Sequence, residues 1–225
     1  MKPQLVVTAD GSSSLFIPEL DEHYHSTHGA IQESNHVFID AGLKLFLNHK
    51  KPIHILEMGF GTGLNALLSC LNTTAENTLL YYTSIEKYPV QASLIQQLNY
   101  DDLIDNKTEN KNIFQKIHQC EWESFQNITP YFYLKKCKID AVDIEWKNTF
   151  DIIYFDAFAP SVQPELWTAF IFKKMYDALK EQGILVTYCA KGVVKRTMKE
   201  VGFLVETIPG PPGKREMTRA TKQLI

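Results

Sequence analysis

Cysteine is scarce: there are four in 225 residues, Cys70, Cys120, Cys137 and Cys189, with no C-x-x-C pair among them. That spacing excludes a disulfide framework, a zinc ribbon and a dithiol redox motif, and it predicts buried thiols in a reducing, cytoplasmic compartment. Long apolar runs are missing too. None approaches the roughly 20 residues of a membrane-spanning helix, so no membrane partner is expected. The opening Met1-Lys2-Pro3-Gln4 leads only to a short apolar patch, Leu5–Val7, which does not read as a secretory signal. Repeats, low-complexity tracts and an obvious linker are absent as well. The length excludes two full catalytic domains and predicts one large domain, or one with an appendage.

Strong net charge is also lacking, at -3 overall, but the average conceals an asymmetry. From Lys191 to Ile225 there are eight Lys/Arg against three Glu, so this tail is +5 and the remainder -8. A polyanion could dock on such a basic end; a solvated helix face followed by a basic terminus is the alternative. With 44% hydrophobic and 22% charged residues, a packed core is expected and wholesale disorder is not.

The first 50 residues read as a hairpin, Leu5–Thr8 and Leu15–Ile17 around Asp10-Gly11-Ser12, and then a polar, His-rich stretch from His23 to His36. Helical spacing covers Val37–Asn48. From residue 51 onward strands and helices alternate. Strands are predicted at Ile53–Glu57, Leu79–Ile85, Tyr131–Lys136, Phe150–Phe155, Ile184–Cys189, Phe203–Ile208 and Met217–Leu224. Helices are predicted at Leu64–Leu71, Val90–Leu98, Glu165–Leu179 with a stop at Gly183, and Val193–Val201. Asp101–Asn112 reads as loop. The pattern predicts an α/β fold: a seven-stranded, mostly parallel sheet with helices on both faces, spanning 51–225, preceded by a hairpin and cover segment in 1–50.

Between the first of these strands and its helix lies Glu57-Met58-Gly59-Phe60-Gly61-Thr62-Gly63-Leu64-Asn65. Glycines there let the backbone approach a ligand, and the helix start offers free N–H groups. A dinucleotide fingerprint would place glycine where Leu64 stands, and no P-loop lysine follows, so a pyrophosphate cradle is disfavoured. Glu57, two residues before the first glycine, would repel phosphate and suits a cationic ligand. The turn resembles the first motif of class I S-adenosylmethionine-dependent methyltransferases. Glu86 ends the second strand at the spacing of a carboxylate that grips a ribose diol, or else it is a helix-start carboxylate before Pro89.

Asp156 ends the Phe150–Phe155 strand, where open α/β sheets place their chemistry. It could hold an amine with its lone pair aimed at a methyl carbon, with Phe158 as an aromatic wall; alone, it could equally cap the next helix. With Asp156-Ala157-Phe158-Ala159-Pro160, Pro164-Glu165-Leu166-Trp167, Gly192-Val193-Val194-Lys195-Arg196 and Gly213-Lys214-Arg215-Glu216-Met217 added, nearly the whole chain resembles one family. That family is the amino-methyltransferase half of the bifunctional tRNA 5-methylaminomethyl-2-thiouridine biosynthesis proteins, with its stand-alone relatives.

The resemblance implies methylation of the aminomethyl nitrogen of a wobble uridine, with S-adenosylmethionine as donor and a tRNA anticodon stem-loop as partner. It implies a catalytic Asp156 and a cofactor set of Glu33, Ser34, Glu57, Gly59, Gly61, Gly63, Asn65, Glu86, Lys87 and Asp156. Substrate contacts are expected at Phe158 and, for phosphates, at Lys191, Lys195, Arg196, Lys214, Arg215 and Arg219. The chain has no room for the flavin-dependent oxidase domain, so neither flavin nor an obligate protein partner is expected. Trp167 reads as a base contact or as core. His23, His25, His28 and His36 have loose spacing and no cysteine beside them, so no metal is expected there; they read as a cover over the pocket or as surface groups. Two other functions stay open: methylation of another amine or nucleic-acid position, and a non-catalytic scaffold that binds the donor.

Overall fold

The computed structural model describes residues 2–47, 51–104 and 111–223. At the N-terminus β1 (Gln4–Val7) and β2 (Ser13–Ile17) pair antiparallel, and β3 (Glu22–His23) adds a short third strand. Asp10 makes the hairpin turn: its Oδ1 accepts from the Thr8 hydroxyl at 2.8 Å and from the Ser12 N–H at 3.0 Å. Next come α1 (Ala30–Ser34), a π-helical turn at Asn35–Asp40 and a 3-10 turn at Leu43–Leu45. The helical expectation over Val37–Asn48 is met by these tighter and wider turns, with Asn48 outside the described residues.

The main sheet contains β4 (Ile53–Met58), β5 (Leu80–Ile85), β6 (Gln126–Thr129), β7 (Phe132–Cys137), β8 (Phe150–Phe155), β9 (Leu179–Thr187), β10 (Phe203–Pro209) and β11 (Glu216–Lys222). Around it lie α2 (Leu64–Ala75), α3 (Ala92–Ile95), α4 (Tyr100–Ile104), α5 (Lys111–Gln119), α6 (Ala169–Ala178) and α7 (Gly192–Val201). The strand order is β10-β11-β9-β8-β4-β5-β7-β6, parallel from β9 to β7, with β11 and β6 antiparallel to their neighbours.

Among the described residues the sheet thus has eight strands rather than seven. The additional one, β6, is a four-residue edge strand whose only aliphatic residue is Ile128, too short and polar to show period-two alternation. The helix expected to run to Leu179 ends at Ala178, and Leu179 already pairs with Phe150. Gly183 therefore does not stop a helix. It lies in a register shift inside β9, between the Leu179 and Ile184 pairings. Pro89 does not open a helix over Val90–Leu98, where only Ala92–Ile95 is α-helical. The expected loop at Asp101–Asn112 is helical at Asp101–Ile104 and from Lys111, and 105–110 lie outside the described residues, as does Leu224 of the last strand.

Period-two alternation distributes side chains between two cores. In β8, Ile152 and Tyr154 join one face with α2, α5 and Phe38, while Ile153 and Phe155 join the other with Trp167, Phe172 and Met175. Each large side chain fully buried in this way contributes about 1.5–3 kcal/mol of transfer free energy. The segment after the hairpin belongs to the first core: Val37, Phe38 and Leu43 are buried, and the Phe38 ring lies 5.0 Å from that of Tyr154. From β4 the chain proceeds to β5 on one side, while β8 pairs on the other, so the switch point of the sheet lies beyond the ends of β4 and β8.

Candidate active site

At that switch point the glycine turn leaving β4 meets the segment leaving β8. Gly59 has φ +88, and a Cβ there would stand 3.0 Å from the Asp156 carbonyl oxygen, so both conformation and contact require glycine. The Asp156 N–H donates to the Met58 carbonyl at 3.2 Å, and the Gly59 N–H to that of Ile85 at 3.0 Å. Three parallel strand ends are thereby tied together. Glu86 follows β5 and accepts from the Gly61 N–H at 3.1 Å and the Tyr88 N–H at 2.7 Å. Two backbone donors fix its carboxylate on the wall of a cleft of about 780 Å³.

Asp156 lines the same cleft. Asn65, in the first turn of α2, donates from Nδ2 to Asp156 Oδ2 at 2.8 Å. Burial first, and the Glu33 charge second, push the Asp156 carboxyl up to about 7, against the Asn65 hydrogen bond and the Lys214 charge. Glu33 and Lys214, 2.6 Å apart across the cleft wall, join α1 to the loop before β11, and the Lys214 ammonium sits 4.1 Å from the Tyr188 ring centroid.

A family model described as S-adenosyl-L-methionine-dependent methyltransferase matches residues 104–223, more than half of the chain. The chain belongs to this methyltransferase family. It is similar to the tRNA 5-methylaminomethyl-2-thiouridine biosynthesis bifunctional protein MnmC of Burkholderia thailandensis, with 30% identity over 95% of this chain and 34% of that protein. The MnmC of a Marinomonas species is 31% identical over 89% of this chain and 31% of its own length. The chain thus spans about a third of the length of the curated relatives it matches. Among solved structures, MNMC2 from Aquifex aeolicus covers the whole chain with a TM-score of 0.78 at 24% identity, over 72% of that structure. Spermidine synthase from Thermotoga maritima also covers it, with a TM-score of 0.55 at 15% identity, over 73% of its own chain. Both share the fold of this chain.

The cleft at the switch point is rich in carboxylates. Glu86 and Asp156 line it together with Glu22, Glu33, Asp140 and Glu165, and the glycine turn brings the backbone to its edge. Of the residues predicted to bind cofactor, Glu33, Gly59, Gly61, Asn65, Glu86, Lys87 and Asp156 line the cleft; Ser34, Glu57 and Gly63 do not. Ser34 and Glu57 are buried behind it, and Gly63 packs under His118. Lys87 is paired with Asp140 at 2.6 Å across the cleft mouth.

Phe158 lines the cleft edge-on to Tyr24 at 5.1 Å, whereas Trp167 is core, its indole N–H donating to the Phe158 carbonyl at 2.8 Å. The six basic residues separate. Lys214 is in the cleft, not on the outer surface, because Glu33 holds it there. Lys195 and Arg219 pair with Glu216 and Glu206, at 3.7 and 3.1 Å. Lys191, Arg196 and Arg215 are exposed, with no ion pair among the described residues. His25 points between Ser14 and Thr62, and burial lowers its pKa to about 4; His36 meets the Pro209 carbonyl at 2.9 Å, and His28 packs on Gly213. Among the described residues no group of three or more His, Cys, Asp or Glu could hold a metal.

Sequence reasoning missed Tyr24, Asp140 and Tyr188 as cleft residues. Asp140 had a signal, a carboxylate just beyond the third predicted strand. Tyr24 had none, since nothing local separates a cover residue from a polar loop.

Proposed function

We propose that the chain methylates the aminomethyl nitrogen of a modified wobble uridine in the anticodon stem-loop of tRNA. The observation that carries this reading is Asp156: a carboxylate at the switch point, oriented by Asn65, on the wall of a cleft large enough for donor and acceptor. The relatives named for tRNA 5-methylaminomethyl-2-thiouridine biosynthesis support the substrate class. S-adenosylmethionine supplies an electrophilic methyl carbon on a sulfonium. Glu86 would hold the ribose diol and Lys87 with Asp140 would border the base, while Gly59 and Gly61 admit the amino-acid end.

The acceptor must attack as a neutral amine, although a free alkylamine is mostly protonated near neutral pH. Desolvation in the cleft and the neighbouring Lys214 cation both favour the neutral form. Asp156 would accept a hydrogen bond from the amine and aim its lone pair; as the N–C bond forms the methyl–sulfur bond breaks, its electron pair staying on sulfur as a neutral thioether, and Asp156 takes the proton the new ammonium releases. Alignment and exclusion of water supply most of the acceleration, a strong base little. Tyr24 and Phe158, in edge-on contact, offer an aromatic wall for the flipped uracil, and Lys191, Arg196 and Arg215 offer cations for phosphates outside it.

Residues 1–50 serve in this reading as hairpin and cover, and 51–225 as the catalytic domain. In this reading the enzyme works in the cytoplasm on the aminomethyl form of the uridine, without flavin or metal. Among the described residues no helix is long and apolar enough to cross a membrane. Mass spectrometry of wobble nucleosides, after incubation of aminomethyl tRNA with protein and isotope-labelled donor, tests the assignment. Label in methylaminomethyluridine is the expected result; label in no tRNA nucleoside would refute it.

A further inference from the structure

Behind Asp156 lies a closed polar cluster that the proposed reaction does not use. Glu57 pairs in register with Ser84 of β5 on one side and Tyr154 of β8 on the other. Its side chain shares the face of Ile53 and Ile55, under Asn65 and Ser69 of α2. It is 0% exposed, and among the described residues no cation lies in ion-pair reach. The Ser84 hydroxyl donates to its Oε2 at 2.5 Å, and Tyr82 and Asn65 stand within hydrogen-bonding reach of the carboxyl. Three enclosed atoms nevertheless lack a partner: Glu57 Oε1, Asn65 Oδ1 and the Tyr82 hydroxyl.

Two of those three are pure acceptors and only the Tyr82 hydroxyl can donate, so the cluster is short of one donor. An ionised Glu57 would worsen the shortage, since a buried carboxylate without a cation costs several kcal/mol. A proton on Glu57 removes both difficulties: the charge vanishes, and an O–H becomes available to an orphaned acceptor.

We propose that Glu57 is held as a neutral carboxylic acid and acts as a positioning residue, fixing the Asn65 amide so that Nδ2 points at Asp156. Glu57 thus acts through Asn65 and does not touch the donor, which deepens the reading of Asp156 above and rests on it. Burial, before the Asp156 charge, pushes the Glu57 carboxyl up to about 8, in keeping with this state. Tyr82 and Ser84 face the group from β5, Tyr154 and Asp156 from the β8 side, and Asn65 and Ser69 from α2; Glu33 and Lys214 act on it only through Asp156.

Infrared titration of the protein alone, with no donor or tRNA, is the first readout. A protonated-carboxyl band that survives at neutral pH and disappears in Glu57→Gln is expected; its absence would overturn the proposal. Calorimetry with S-adenosylmethionine across pH is the second. Glu57→Gln, a permanently neutral isostere, should abolish the alkaline change in affinity, whereas Glu57→Ala, checked for folding by circular dichroism, should shift the acid limb set by Asp156. A loss of roughly tenfold or more in donor affinity at neutral pH in Glu57→Gln would mean direct contact with the donor as an anion, and would overturn it. Because neither readout involves tRNA, failure of the substrate assignment leaves this result interpretable on its own.

Discussion

Taking the pH from about 8 to about 6 protonates Asp156, whose carboxyl is pushed up to about 7 by burial and by the Glu33 charge. A sulfonium in the cleft favours the ionised form, so bound donor draws that pKa down and releases a proton. At about one unit below the pKa only about a tenth of the protein carries the carboxylate, against about nine-tenths one unit above. Affinity for a ligand that demands the anion therefore falls about tenfold between those pH values, equivalent to about 1.4 kcal/mol.

S-adenosylhomocysteine has the same nucleoside and amino-acid ends but no sulfonium charge, so the ratio of the two affinities isolates the electrostatic part. Calorimetry in two buffers of different ionisation heat should give release of about half a proton near pH 7 for the charged donor. Asp156→Asn should abolish that release and flatten the affinity ratio. An affinity ratio independent of pH in the wild-type protein, or the same slope in Asp156→Asn, would refute the placement of the sulfonium beside this side chain. The sign for stability runs alongside: a raised carboxyl pKa means the folded state binds the extra proton. This contribution is therefore present below the unfolded value of 3.8 and lost as pH rises toward about 7.

Glu86→Gln removes the charge from a group already held by two backbone N–H donors, so S-adenosylmethionine KM should rise roughly 10- to 100-fold, a loss of about 1.5–3 kcal/mol, with kcat little changed. A fall in kcat at constant KM would remove it from the donor site. Gly59→Ala should destabilise by about 1–3 kcal/mol and weaken donor binding, read from thermal melts with and without donor, because φ +88 and the Asp156 carbonyl both oppose a Cβ. Unchanged melting in both states would contradict the tight contact. Replacing Lys191, Arg196 and Arg215 together with alanine should lower the salt slope of tRNA binding by about 2, at about 0.7 per phosphate for single strands. Replacing Lys195 and Arg219, which are already paired with carboxylates, should change it less.

How far these features could be read from the chain depends on how local their causes are. Phe150–Phe155 is an aromatic and β-branched run bounded by polar residues, and its end fixes Asp156; the glycine turn is equally local. The edge strand β6 was not legible, because Gln126, Asn127 and Thr129 carry no apolar alternation and their pairing comes from β7. Gly183 misled, since glycine marks both a helix stop and a shifted register, and only pairing with β8 distinguishes them.

Charge was the least legible signal, because its meaning is set by partners distant in sequence. Lys214 reads as part of a basic tail, yet Glu33, on a segment at the other end of the chain, draws it into the cleft beside Asp156. Glu57 reads as an anion for a cationic ligand because it stands two residues before a glycine turn. Its parity says otherwise: with Ile53 and Ile55 on the same side of β4, it points under α2, while Met58, on the opposite face, reaches the cleft. Position along the strand completes the distinction: Glu57 lies inside β4, flanked by Ser84 and Tyr154, whereas Glu86 and Asp156, of the same parity, lie just beyond the ends of β5 and β8, where the sheet no longer covers them.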